Sequence, residues 1–161
     1  MDLNAIGSAL KSSQAQEMHL LAPDGSPLYA YEHPEKGWQV TTDRDLEGHE
    51  LFPCLFKMIG IDSKAFRERK AANFNRAQKQ RGKVKFSEAE MEAFETVASG
   101  VTGWSHIVWN DAPSDPESKG FLIEHDFDNV MKVIMGYPPC FDQADRFISD
   151  RANFFDSAST S

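Results

Sequence analysis

The sequence predicts an α+β chain, with a small N-terminal antiparallel sheet followed by a four-helix C-terminal part that carries one short strand pair. Three observations predict it. Residues 19–58 hold short apolar runs split by turn chemistry. Residues 62–155 hold apolar positions at helical spacing, with capping residues at their starts. Between two of those helical stretches, apolar runs at Trp104 and Phe121 flank a loop rich in Pro, Asp and Ser. One domain over residues 1–161 accommodates all of it: 161 residues, 40% of them hydrophobic, suffice for a single core.

Residues 1–18 read as an N-terminal arm, small and polar, with Ile6 and Leu10 spaced for a short helix at most. In the β-rich part, 19–58, Leu20-Leu21-Ala22 enters Pro23-Asp24-Gly25-Ser26 and leaves through Leu28-Tyr29-Ala30-Tyr31. Proline presets φ there and glycine accepts φ > 0, so the stretch reads as a hairpin. Trp38-Gln39-Val40-Thr41-Thr42 and residues 51–56 are the next strands, separated by a charged turn that ends at Gly48. Pro53 lacks an N–H donor, which directs its strand to a sheet edge.

The mainly helical part, 59–155, opens at Asp62-Ser63, either of which can cap a helix over 64–80 that Gly82 stops. Its apolar content is thin, chiefly Phe66 and Phe74, so one narrow stripe meets the body and the basic face is solvated. Ser87 and Glu90 form a capping box, and Met91, Phe94, Ala98 and Val101 share one face of the helix that follows. Gly103 is expected to end that helix in the left-handed conformation, after which Trp104-Ser105-His106-Ile107-Val108-Trp109 reads as one strand. Residues 110–120 form a loop, and Phe121-Leu122-Ile123 pairs back. Asp126 caps a helix that buries Phe127, Val130, Met131 and Ile134 before Gly136 and Pro138-Pro139 stop it. A last helix over 140–155 buries Phe141, Ala144, Ile148 and Phe155, and 156–161 form a flexible tail.

Charge is distributed unevenly. The net charge is −8, yet residues 62–85 hold nine basic and two acidic side chains, net +7, which leaves −15 for the remainder. An acidic whole argues against general binding to nucleic acid or anionic membranes, because displacing counterions from phosphates takes an excess of Lys and Arg. No apolar run reaches the roughly 20 residues that span a bilayer, and the start has no basic n-region, so a soluble cytoplasmic protein is expected. Cys54 and Cys140 sit among apolar residues outside any CxxC or Cys/His spacing, which suits a reduced compartment.

Catalytic constellations are not evident. The chain has no G-x-S-x-G elbow, no glycine-rich phosphate loop and no cysteine in a basic setting, so no catalytic residue and no cofactor are expected and the chain reads as a non-enzyme. His125-Asp126-Phe127-Asp128 could ligate a divalent ion, but the same carboxylates serve the positive end of a helix dipole, and no metal is expected. His106, among apolar neighbours, reads as structural.

Partner binding is the remaining class. The basic helix offers Arg67, Arg69, Lys70, Arg76 and Lys79, with Phe74, to an acidic partner or to nucleic acid, the −15 elsewhere favouring the former; or it balances the acidic body of its own chain or of a neighbouring copy. Trp38 and Trp109, flanked by charged or turn residues, are the aromatic rings expected to stay partly exposed and dock a partner. Trp104, directly after a helix stop, is expected in the core.

The order of motifs resembles the tail assembly chaperones of long-tailed bacteriophages. The pieces are Ile59-Gly60-Ile61-Asp62-Ser63-Lys64-Ala65-Phe66 before the basic helix, Val101-Thr102-Gly103-Trp104-Ser105-His106-Ile107, the aromatic-start helix over 121–134, the Tyr137-Pro138 break, and Phe147-Ile148-Ser149-Asp150-Arg151-Ala152-Asn153-Phe154. They cover about three fifths of the chain; the N-terminal β region has no counterpart in the resemblance. It implies a non-enzymatic protein that keeps the tape-measure protein soluble and recruits tail-tube subunits in the cytoplasm of an infected bacterium, associating with itself as it does so. It also implies a longer frameshifted form, for which Asn153-Phe154-Phe155 can be encoded by a slippery heptamer. A structural virion protein of the tail or head-to-tail connection, and a small acidic inhibitory or regulatory protein, are the alternatives.

Overall fold

The structure, a computed structural model, describes residues 15–81 and 87–150, and for 74–81 the backbone alone. It is an α+β fold with its sheets at the N-terminal side and its helices C-terminal. Strands β1 (Gln16–His19), β2 (Tyr29–His33), β3 (Gly37–Thr41), β4 (Phe52–Pro53) and β5 (Leu55–Met58) precede helices α1 (Lys64–Arg81) and α2 (Glu88–Gly100). Then come β6 (Val101–Ser105), β7 (Val108–Trp109), β8 (Phe121–Leu122), α3 (Phe127–Gly136) and α4 (Pro138–Ser149).

Two three-stranded antiparallel sheets form, in the orders β1-β5-β6 and β3-β2-β4, and β7 pairs with β8. The predicted strand over 51–56 is cut at Cys54, whose N–H donates to Leu28 O (3.1 Å) while its carbonyl accepts from Leu20 N–H (2.9 Å). One residue thus passes the chain from sheet to sheet. Pro53 lies on the edge strand β4, as a residue without a donor must. The Pro23-Asp24-Gly25 turn forms, with Gly25 at φ +87° and its N–H on Ala22 O (2.9 Å). Ser26 N–H donates to the exposed Asp24 Oδ1 (2.9 Å), which lowers that carboxyl's pKa. Pairing beyond this turn is brief, because residues 16–19 turn instead to β5, Gln16 facing Met58 and His19 facing Leu55. The expected boundary between arm and β-rich part therefore falls inside β1.

The helix starts follow the sequence closely. Ser63, buried, accepts from Phe66 N–H (2.9 Å) and anchors its own hydroxyl on Gly60 O (2.8 Å). Ser87 accepts from Glu90 N–H (3.1 Å) and donates its hydroxyl to the Glu90 carboxylate (3.0 Å), so the glutamate takes the hydroxyl rather than a backbone N–H. Asp126 Oδ1 accepts from Asn129 N–H (2.7 Å). Caps of this kind each stabilise a helix by about 1 kcal/mol.

Helix ends depart more. Gly103 does not stop α2; the helix ends at Gly100, and Val101 and Thr102, both β-branched, are already extended in β6. There Val101 faces Met58 and Trp104 faces Phe56 across β5, with a bulge between Lys57 and Met58. His106 takes φ +55° and breaks the predicted single strand into β6 and β7. Pro138 and Pro139 both stop α3 and start α4, two residues earlier than expected, because the first helical turn needs no N–H from them. Phe155, the stop at Gly82 and the tail over 156–161 lie outside the described residues.

The core lies between β1-β5-β6 and the helices. Phe56, Met58, Val101, Met131 and Ile134 are fully buried, joined by Met91, Val97, Ala98, Val130, Ala144 and Ile148. Of the predicted faces, Phe94 and Phe141 are half-buried and meet edge to face at 5.0 Å. The buried polar side chains are settled: Ser99 donates to Glu95 O (2.8 Å), and no buried side-chain N or O among the described residues lacks a partner. Trp104 stacks on Phe56 (5.6 Å) and donates Nε1–H to Ile123 O (2.9 Å), the structural role expected of it.

Candidate partner-binding surfaces

An apolar cleft lies where the two sheets separate. It encloses about 570 Å³ and is walled by Leu20, Leu28, Ile107, Val108 and Val133, with Val40, Trp109 and Tyr137 among its other lining residues. Sequence order explains its position. Cys54 diverts the chain between sheets, the α3–α4 break brings Gly136 and Tyr137 to the same level, and β7 supplies Trp109. The Trp109 indole lies over Gly136, where a Cβ would come within 2.7 Å of Cη2. Asn110 and Asp111 stand at the polar side of the cleft. The Asn110 amide is occupied in its loop, accepting from Ala112 N–H (2.9 Å) and Ser118 Oγ–H (2.6 Å).

The outer wall is held by backbone approach. Trp38 N–H donates to Gly120 O (2.9 Å) and Gly120 N–H to Lys36 O (3.0 Å), which fastens the loop 110–120 to β3. A Cβ on Gly120 would overlap the Trp38 carbonyl oxygen, and Gly37 sits at φ +71°, so both positions require glycine. Apolar side chains remain in solvent beside this seam: Val40 is 50% exposed, Phe121 39% and Leu122 37%.

The predicted partner residues do not form one site. Trp109 lines the cleft. Trp38 is half-buried against Phe52 (5.9 Å) and His106 (6.0 Å), and His106 stacks on Phe52 at 4.5 Å, so Trp38 builds the sheet rather than projecting from it. On α1, Arg67 is exposed and Lys70 half-exposed. Arg69 turns inward: Nε–H donates to Ser99 O (3.0 Å) and Nη2–H to Val101 O (3.1 Å). Those carbonyls end α2, where unpaired acceptors and the negative end of the dipole favour a cation, and burial lowers the guanidinium pKa. His125 Nε2–H donates to the same Val101 O (3.0 Å), which accounts for it without a metal. The side chains of Arg76 and Lys79 lie outside the described residues.

Val40, Val133 and Tyr137 were not among the partner-binding residues expected from the sequence. Val40 continues the Trp38 alternation, and that pattern alone could have flagged it; Val133 and Tyr137 join the cleft only through the tertiary bend at α3–α4. Burial raises the Tyr137 pKa, with a smaller contribution from Cys140.

Burial pushes both the Cys54 and Cys140 thiols up to about 12, so neither supplies a thiolate near neutrality. Among the described residues no group of three or more His, Cys, Asp or Glu is placed to hold a metal, and no helix is long and apolar enough to cross a membrane. Compared with known protein families, with curated proteins and with solved structures, the chain matches none of them.

Proposed function

We propose that this protein is a non-enzymatic assembly chaperone of the kind its motif order resembles. It holds the phage tape-measure protein soluble in the cytoplasm of the infected bacterium and brings tail-tube protein to it. The observation that supports this reading is the apolar cleft beside β3 and β8, with Val40, Phe121 and Leu122 in solvent at its border. Exposed apolar side chains beside an apolar cleft are the kind of surface on which another macromolecule docks. Its volume suits the anchor side chains of an amphipathic helix laid in a groove.

Co-expression with a phage tape-measure protein tests the reading. Soluble tape-measure protein is expected to rise several-fold with the wild-type chain and to return to baseline with Val40→Glu, which changes an exposed position. No gain with the wild type overturns the proposal. Many copies of this chain in purified virions would instead identify a structural virion protein.

A further inference from the structure

The uneven charge seen in the sequence has a direction in space. Lys57 and Met58, at one end of β5, lead to α1; Cys54, at the other end, leads to sheet β3-β2-β4 and the cleft. Helix α4 runs between the same ends, from Tyr137 at the cleft to Ile148, whose carbonyl accepts from Ile61 N–H (3.2 Å) just before α1. Its 12 residues set the ends about 18 Å apart. Helix α1 carries seven basic residues and one acidic, net +6, while α2, packed against it, carries four acidic residues and no basic one, so the pair is net +2; Lys64, ion-paired with Glu68 at 3.7 Å, and Arg67 are exposed on α1.

The opposite end is its electrostatic complement. Residues 21–53 and 105–122 hold ten acidic and three basic side chains, net −7. Asp45, Glu47, Asp111 and Glu117 are exposed there, and so are Val40, Phe121 and Leu122, three of the four large apolar side chains exposed among the described residues. Neither end neutralises the other within one molecule, since they lie farther apart than the roughly 10 Å over which salt at 0.1 M lets surface charges act. In a second molecule the distance vanishes.

We infer that copies of this chain associate head to tail, α1 of one copy lying on the acidic, apolar-bordered β3–β8 end of the next. The contact joins two different surfaces, so it is heterologous, and each copy keeps one free surface of each kind. Successive copies therefore extend a row rather than close a symmetric pair. The inference needs no client, but it places the next copy on the same β3–β8 end where the chaperone reading seats the client, so the two compete for that surface.

Charge reversal in the full chain tests it. One variant carries Lys64→Glu and Arg67→Glu; the other carries Asp45→Lys, Asp111→Lys and Glu117→Lys. Asp43 and Asp115 stay native because each closes a turn, accepting from Asp45 N–H and Glu117 N–H (2.9 Å each). In sedimentation velocity at about 50 mM salt, the wild-type average mass is expected to keep rising with concentration, and association to weaken at least about tenfold at about 0.5 M. Each variant alone is expected to be monomeric with an unchanged circular dichroism spectrum. An equimolar mixture of the two regains association, since each then meets a complementary end. A monomeric wild type, a mass that stops at the dimer, a variant that associates as the wild type does, or a mixture that stays monomeric overturns the inference. If a triple variant fails to fold, Glu117→Lys alone, expected to weaken association several-fold, takes its place.

Discussion

Two sheets of equal strand number divide the labour of this molecule unequally. In β1-β5-β6 the middle strand presents Phe56 and Met58 to helices, both wholly buried, and Met18 and Val101 flank them. In β3-β2-β4 only Ala30 of the strand residues is buried; Trp38 packs on Phe52 within the sheet, and Tyr29 meets His19 of β1 edge to face at 5.1 Å. Burial of apolar area, worth about 25 cal/mol per Å², thus concentrates in the first sheet. The second is left thin, with apolar side chains in solvent. What the difference teaches is that the buried apolar core rests on one sheet while the other keeps apolar side chains in solvent, the chain crossing between them at residues 20–28 and again at Cys54.

Truncations give the sharpest way to break that contrast. Phe56→Ala or Met131→Ala is expected to cost about 3–5 kcal/mol in urea denaturation, through lost transfer energy and the cavity left behind. An equal cost at Val40→Ala would erase the distinction. Arg69→Ala is expected to cost about 2 kcal/mol, because two carbonyls at the end of α2 lose a charged donor, and Arg69→Lys to recover only part of it.

Alkaline pH probes the buried side next. Both thiols are raised in the folded state, so their contribution is complete below the unfolded thiol pKa, near 8.5, and is lost as pH rises toward 12. Unfolding free energy is expected to hold from pH 6 to 8 and to fall above pH 9, by up to about 1.4 kcal/mol per pH unit for each thiol, with melting temperature falling in step. Cys54→Ala should flatten that slope while lowering stability at neutrality; an unchanged slope would mean that the thiols are not protected.

Smaller effects belong to the outer sheet. Gly120→Ala is expected to raise amide exchange at Trp38, as the loop 110–120 leaves β3, with little change at Met58 or Val101. Val40→Ala should alter stability by less than about 0.5 kcal/mol.

Much of the fold was legible because its signals are local. Ser63, Ser87 and Asp126 each cap within three residues, and Phe127, Val130, Met131 and Ile134 share a face whatever lies opposite. The misread positions are those where a distant partner decides. Gly103 looked like a helix stop, but β5 draws Val101 into a strand two residues earlier. Residues 51–56 looked like one strand, but Leu20 and Leu28 each claim one side of Cys54. The same holds for the candidate site. Trp109 was visible as a ring among turn residues, whereas the wall opposite it needs the α3–α4 bend, and Arg69 differs from Arg67 only in facing α2.

The passage of the chain through Cys54 has a consequence for how such a protein can change over evolutionary time. Residues 42–51 and 110–120 both hang from the outer sheet, and neither threads the helical core. Loops placed there can lengthen, shorten or exchange charge while Phe56, Met131 and Ile134 keep their neighbours. The fold thereby offers one end that tolerates novelty and one that resists it, and a lineage adapting to a new partner would be free to rewrite the first without renegotiating the second.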